Sequence, residues 1–259
     1  IIICQMNYKR SKYFTTQNKR RIKYLLVKKN SPNTVVFFHG FMSDMTGSKP
    51  TAIQKFCRKQ KINFLKFEYS GHGKSKGKFI EGNISRWTED AKKLIKAKIK
   101  NDKYLIFIGS SMGSWIALNL FPVFKKQIRG FIGISSAPEF LEKLIWIKLK
   151  KKIKSIIIKE KIYYLEHGNF TYPITKQLIF DGRKNKILNN KINLKISLSL
   201  FHSLKDKVVP VSFSKQILKI CTKSKKKLIL IKNGDHSLSR KSDLKKICKE
   251  LNNIVSNIH

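Results

Sequence analysis

Acidic side chains are scarce in this 259-residue chain: 15 Asp and Glu stand against 56 Lys and Arg, a formal net charge of +41. A charge of that size draws polyanions, so a nucleic-acid or anionic-membrane partner is one reading. The lysines, however, run through nearly every polar segment instead of gathering on one arm, and no nucleic-acid module is recognisable. Lys, Ile and Asn are abundant throughout, which fits an AT-rich codon bias, and no specific nucleic-acid partner is expected. Long apolar runs are also missing. None approaches the roughly 18 residues that a spanning helix needs. The stretch Ile1 to Cys4 is too short for the apolar region of a secretory signal. The chain begins with Ile1, which reads as a fragment or as a chain whose natural start is Met6. Cysteine is scarce too. Cys4, Cys57, Cys221 and Cys248 show no paired spacing, which argues against a zinc site or a disulfide framework and fits a reducing compartment. The cytoplasm is the expected location, with a mitochondrial-type matrix as the eukaryotic alternative. What is present, 41% hydrophobic residues in a chain of this length, suits one α/β domain, expected from residue 7 to 259.

The stretch Tyr104 to Phe121 organises the rest. Five strand-prone residues, Tyr104 to Ile108, lead into Gly109-Ser110-Ser111-Met112-Gly113, and a helical pattern through Trp115, Ile116, Leu118, Leu120 and Phe121 follows. Strand, tight turn and helix with a serine at the apex spell Gly-x-Ser-x-Gly, the nucleophile elbow of α/β hydrolases. A serine projected from a sharp, strained turn needs small neighbours two residues away on either side, so both positions are glycine. Ser111 fits this frame. Ser110 does not, having no glycine two residues before it.

In chain order, residues 7 to 30 read as one or two edge strands, with a core at Ile22 to Val27. Val35 to Phe38 is a buried strand ending in His39-Gly40-Phe41, a turn suited to supply one backbone N–H of an oxyanion hole, from Phe41. The residue after the serine, Met112, would supply the other. The His39 side chain reads as a structural loop histidine. A helix is expected at Thr51 to Gln60, a strand at Asn63 to Tyr69, and a helix at Ser85 to Lys100 from the recurrence of Trp87, Ala91, Leu94, Ile95 and Ile99. His72 lies in a glycine-rich turn that lacks the spacing of a phosphate loop, and it precedes the elbow, so it too reads as a loop histidine. Ile128 to Ile134 is a further buried strand. From residue 139 to 190 the alternation breaks, and the segment reads as helices laid over the sheet's C-terminal edge, an apolar cap with a Lys run from Lys148 to Lys154 flanking its entrance. Strands at Lys195 to Phe201 and Leu228 to Ile231, and a helix at Lys241 to Val255, complete a mostly parallel sheet flanked by helices.

Ser111, Asp206 and His236 follow one another in the order of the α/β-hydrolase triad, each just past a predicted strand end, where open α/β sheets place their sites. Only seven aspartates exist in the chain, which makes one at this place informative. Asp235 is the rival acid, disfavoured because adjacent side chains rarely face each other.

HGFMSDMTGSKPTAIQKFC from residue 39, FEYSGHGKSKG from residue 67, SRWTEDAKKLI from residue 85 and GSSMGSWIAL from residue 109 resemble the mitochondrial acyl-protein (palmitoyl) thioesterases and acyl-glucuronide esterases of the α/β-hydrolase superfamily, with their bacterial relatives. The resemblance spans residues 35 to 140 and resumes at Asp206 and His236; the cap and the N-terminus carry little of it. Ser114, where that family usually has glycine, and the Lys-rich cap depart from it. The resemblance implies an α/β-hydrolase fold and a serine hydrolase acting on acyl thioesters or carboxylic esters, with an acylated protein or acyl-CoA as candidate substrates and neither cofactor nor metal. Peripheral contact with an anionic membrane stays open, and oligomeric state is not read from the sequence. The alternatives are a serine peptidase of the same fold and a non-catalytic basic protein binding nucleic acid or an anionic membrane.

Overall fold

The computed structural model describes residues 11–258 apart from 101–102 and 168–169; the domain start expected at residue 7, the start at Met6, and Cys4 lie outside the described residues. The chain enters through strands β1 (Lys12–Thr15), β2 (Arg21–Val27) and β3 (Asn33–Phe38). Helix α1 (Ser48–Lys59), β4 (Asn63–Phe67), α2 (Ile84–Lys98), β5 (Tyr104–Ser110), α3 (Met112–Asn119) and β6 (Ile128–Ile134) follow. It closes with β9 (Ser197–Ser203), α6 (Ser212–Ile220), β10 (Lys225–Ile231) and α7 (Lys241–Ser256). One eight-stranded sheet takes the order β1-β2-β4-β3-β5-β6-β9-β10. Its neighbours are parallel from β4 to β10, and β2 alone is reversed, pairing antiparallel with both β1 and β4. The fold is that of the α/β hydrolases.

The sheet's burial explains why its strands read as unbroken apolar runs. Along β3 and β5, Val36, Phe38, Leu105 and Phe107 face one side, and Val35, Phe37, Ile106 and Ile108 the other. The first side is covered by α2, α3 and α6, with Trp87 and Trp115 fully buried. The second is covered by α1 and α7 through Ile53, Cys57, Ile247 and Leu251. Each such side chain contributes roughly 1.5–3 kcal/mol of transfer free energy. The period-3.6 pattern of α2 is real, and its start is fixed by Asn83, whose side chain accepts from the Arg86 amide at 2.8 Å.

Several boundaries differ from the sequence expectation. β2 is not an edge strand, because it pairs with both β1 and β4. β10 begins three residues early, since Lys225, Lys226 and Lys227 extend an edge whose side chains reach solvent. β4 stops at Phe67, before the turn that carries His72. The largest difference lies between β6 and β9. Instead of helices alone, the chain forms a π-helical turn (Leu141–Ile145), a 3₁₀ turn (Trp146–Lys148), α4 (Lys151–Glu160), an antiparallel hairpin of β7 (Ile162–His167) and β8 (Phe170–Thr175), and α5 (Lys176–Lys184). Tyr163, Leu165 and Tyr172 pack on the core, but Ile162 to Leu165 is an unbroken apolar run and β8 is buried without alternation, so no period of 2 marks the strands. Among the described residues, no helix is long and apolar enough to cross a membrane.

Candidate active site

Ser111 stands at the end of β5 with φ 51° and ψ −119°, a conformation that costs a non-glycine residue on the order of 1–3 kcal/mol. Burial of the strand before it and the helix after it holds the strain in place. The flanking glycines are needed for contact. A Cβ on Gly109 would meet the Ser114 Cα at 2.5 Å, and one on Gly113 would meet the Phe38 carbonyl at 2.2 Å. The second collision is with the end of β3 and not across the turn itself. Ser114 fits behind the elbow by donating to the Gly109 carbonyl at 2.8 Å and accepting from the Ser136 hydroxyl at 2.8 Å. Both Ser110 and Ser111 line a cavity, Ser110 buried and Ser111 the more exposed of the two.

The loops after β9 and β10 bring the other two residues to Ser111. The His236 Nδ1–H donates to Asp206 Oδ2 at 2.8 Å, and its Nε2 lies 3.2 Å from the Ser111 hydroxyl, which donates to it. The three residues expected from the sequence therefore meet in hydrogen-bond order. Asp235 does not join them. Its Oδ1 accepts from the Ser237 hydroxyl and the Leu238 amide at 2.8 and 2.9 Å, shaping its own turn.

Asp206 is held on both oxygens. Oδ1 accepts the Val208 and Val209 amides, each at 2.9 Å. Oδ2 faces His236 and, at 3.4 Å, the Nε2 of a second histidine, His202. Burial alone would raise this carboxyl; the donors from His202, His236 and Val209 outweigh it and hold it below the ordinary carboxylate range. His202 is fully buried, with Nε2 2.8 Å from the Val209 carbonyl and Nδ1 2.7 Å from the Ser214 hydroxyl. Nothing in the sequence marks it, because the turn that brings Asp206 back onto its ring is set by the fold.

Lys49 likewise carries no sequence signal of its role. Its Nζ donates to the Ser237 carbonyl at 2.5 Å and lies 3.3 Å from the Ser239 hydroxyl, tying the start of α1 to the loop of His236. Burial lowers its ammonium to about 8 against the opposing pull of Asp235.

The oxyanion candidates lie close by. A Cβ on Gly40 would sit 3.5 Å from the Ser111 Cβ, so the His39-Gly40-Phe41 turn passes beside the serine in van der Waals contact. The Phe41 amide makes no backbone hydrogen bond among the described residues, and Met112 opens α3, where the first amides lack helical partners. The His39 ring is buried, pairs its Nδ1 with the Gly40 carbonyl at 2.8 Å and receives the Tyr69 amide on Nε2 at 3.4 Å. Burial depresses it to about 4, so the ring is neutral at physiological pH. His72 packs against His39, Phe79 and Trp87, and neither of its nitrogens has a partner of hydrogen-bond geometry.

The cavity at Ser111 holds about 640 Å³, within the range of small-molecule sites. One end carries Ser111 and His236; the wall is apolar, from Phe41, Phe140, Leu144, Ile145, Leu165 and Tyr172. Its cations are Lys49, Lys148 and Lys207, and its one carboxylate, Asp44, is engaged by the Thr46 amide and hydroxyl at 2.6 and 2.7 Å. Of the lysine run expected at the entrance, Lys148 lines the cavity, whereas Lys151, Lys152 and Lys154 lie along α4. Among the described residues no group of three or more His, Cys, Asp or Glu is placed to hold a metal ion.

Comparison with known proteins adds to this geometry. Residues 29–177 match the family described as serine aminopeptidase, S33. The chain is 26% identical over 241 residues to the mitochondrial palmitoyl-protein thioesterase ABHD10 of Bos taurus, covering 92% of this chain and 77% of that protein. Among solved structures, a protein from Agrobacterium vitis S4 described as a hydrolase superposes with a TM-score of 0.89 at 27% identity, covering 95% of this chain and 98% of that one. Alpha/beta hydrolase domain-containing protein 10 from mouse gives 0.86 at 23% identity, covering 96% of this chain and all of that one.

Proposed function

We infer, from a chain that belongs to the serine aminopeptidase S33 family of hydrolases, that it cleaves acyl thioesters or carboxylic esters, with Ser111 as nucleophile, His236 as base and Asp206 as acid. The observation that carries this reading is the relay from Asp206 through His236 to Ser111, at 2.8 and 3.2 Å, ending in an apolar cavity. In the first step the Ser111 oxygen forms a bond to the acyl carbon while its proton passes to His236 Nε2. Asp206, held ionised, fixes the imidazole with Nδ1 protonated and stabilises the cation. The Phe41 and Met112 amides would take the developing oxyanion. Collapse breaks the bond to the thiol or alcohol, which leaves with the proton from His236. Water then repeats the sequence on the acyl-enzyme, restoring Ser111 and releasing the acid.

The apolar wall favours a hydrocarbon acyl group. The thioesterase named among the relatives supports an acylated thiol as the leaving side. A peptidase that reads a free amino terminus would need uncommitted carboxylates to receive the ammonium. Here Lys49, Lys148 and Lys207 would repel it, and Asp44 is already capped by Thr46.

A panel of acyl thioesters, matched esters and aminoacyl amides of graded chain length tests this reading. Thioesters and esters with long acyl chains should give the highest kcat/KM, and Ser111→Ala should abolish all turnover. Aminoacyl amides cleaved faster than any acyl ester would overturn it.

A further inference from the structure

We propose that the mouth of the cavity is a docking surface for an anionic phospholipid bilayer. Phe170 (66% exposed), Ile147 (61%) and Tyr164 (58%) are the most exposed large apolar side chains among the described residues, and all three lie between β6 and β9. Two of them neighbour residues that line the cavity. Ile147 stands between Ile145 and Lys148, both of which line it. The Phe170 ring lies 6.3 Å from that of Tyr172, another wall residue. Two further segments add to the rim. Val208, 47% exposed, lines the cavity, and Met42, 45% exposed, adjoins Phe41 and Ser43, which do so. A single exposed Ile or Phe needs no explanation. Four on separate segments, one lining the opening and three beside residues that line it, mark a contact surface.

Charge selects the partner. Lys148 and Lys207 line the same opening, and Lys150, Lys151 and Lys152 are exposed just beyond Lys148. Apolar side chains interleaved with lysine fit a bilayer interface with anionic headgroups, where the apolar groups enter the acyl boundary and the ammonium groups meet phosphate. An acidic protein would meet the charge but would leave the apolar rim in water. The interior continues the same surface. Tyr172 stacks on Phe41 at 6.0 Å, and Phe41 belongs to the turn that passes Ser111, so an aromatic row leads from Phe170 to the serine. An acyl group could move from the bilayer to Ser111 without crossing water. The purpose of this surface rests on the acyl-hydrolase reading; its existence does not, because docking is measured without turnover.

The test is co-sedimentation of the full chain carrying Ser111→Ala with vesicles of equal parts phosphatidylcholine and phosphatidylglycerol, and with vesicles of phosphatidylcholine alone. Binding should require phosphatidylglycerol. Lys148→Gln with Lys207→Gln should weaken it about 30-fold, each lysine near an anionic surface contributing about five-fold. Ile147→Ser with Phe170→Ser should weaken it on the order of tenfold or more by removing inserted apolar area. Lys245→Gln with Lys246→Gln removes the same charge from α7 and should cost far less; thermal unfolding of each variant verifies that it is folded. Equal losses from the two lysine pairs, or no loss from the apolar pair, would show only non-specific attraction by a highly charged chain and overturn the proposal. Absence of binding to either vesicle would overturn it as well.

Discussion

From Tyr104 to Gly113 every residue is buried except Tyr104 and Ser111; from Glu142 to Lys152 none is. Both stretches border the same cavity, one carrying the serine and the other part of the apolar wall. The first is a central strand and a strained turn enclosed by helices on both faces, so its geometry is over-determined. The second runs through a π-helical turn and a 3₁₀ turn into the start of an exposed helix, resting on the core through Ile145, Trp146 and Leu149. The contrast teaches a division of labour. A strained turn needs a rigid surround, whereas a cavity wall can stand half-exposed.

If that division is right, the largest effects belong to the buried side. Asp206→Asn should lower kcat by about 10³- to 10⁴-fold, through loss of the productive imidazole tautomer. Asp235→Asn, which alters only a turn, should cost far less. Steady-state kinetics of the two variants decide the point, and the reverse ranking would break the comparison.

The next effect is on stability. Burial depresses His39 to about 4 from its ordinary 6.5, and it holds His72 well below the same value, with the His39 charge adding to the shift. Unfolded, both rings take protons as the pH drops below about 6.5; folded, they resist. The stabilisation is therefore complete above about pH 6.5 and is lost as the pH falls. His39 alone should remove about 2 kcal/mol of stability between pH 7 and pH 5. Asp206 contributes nothing in that window, because its depressed carboxyl keeps its stabilisation until the pH nears the ordinary carboxylate value of 3.8. His72→Phe replaces a ring without hydrogen-bond partners by an apolar one and should flatten the slope. Urea midpoints at pH 7 and pH 5 measure it, and an unchanged slope would contradict the account.

The smallest effect belongs to the cavity wall. Tyr172→Ala should lower kcat/KM about tenfold for long acyl chains while leaving short ones unchanged, since it removes apolar contact far from the reacting carbon. Equal losses across chain lengths would mean that the hairpin also supports the chemistry.

The same contrast explains what could be read from the sequence. Buried parallel strands must be apolar on both faces, so β3, β5 and β6 stood out as runs, and the glycines around Ser111 marked the turn between them. The order of Ser111, Asp206 and His236 was legible because each follows a strand end. The hairpin of β7 and β8 was not, because its apolar residues run together, Ile162 to Leu165 in one strand and Tyr172 to Ile174 in the other, without the alternation that separates a strand from a helix. His202 and Lys49 were not legible for another reason. The partners of Lys49, Ser237 and Ser239, lie far off in the chain; those of His202, Asp206 and Ser214, are near in sequence, but only the path of the chain after β9 brings them onto the ring.

The claim on which all of this turns is that Ser111 is the activated nucleophile. Its most direct measurement is peptide mass spectrometry after reaction with a fluorophosphonate, which an activated serine attacks at phosphorus. The account predicts a single adduct on Ser111, lost in Ser111→Ala and largely retained in Ser110→Ala. An adduct on Ser110, or labelling that persists in Ser111→Ala, would contradict it.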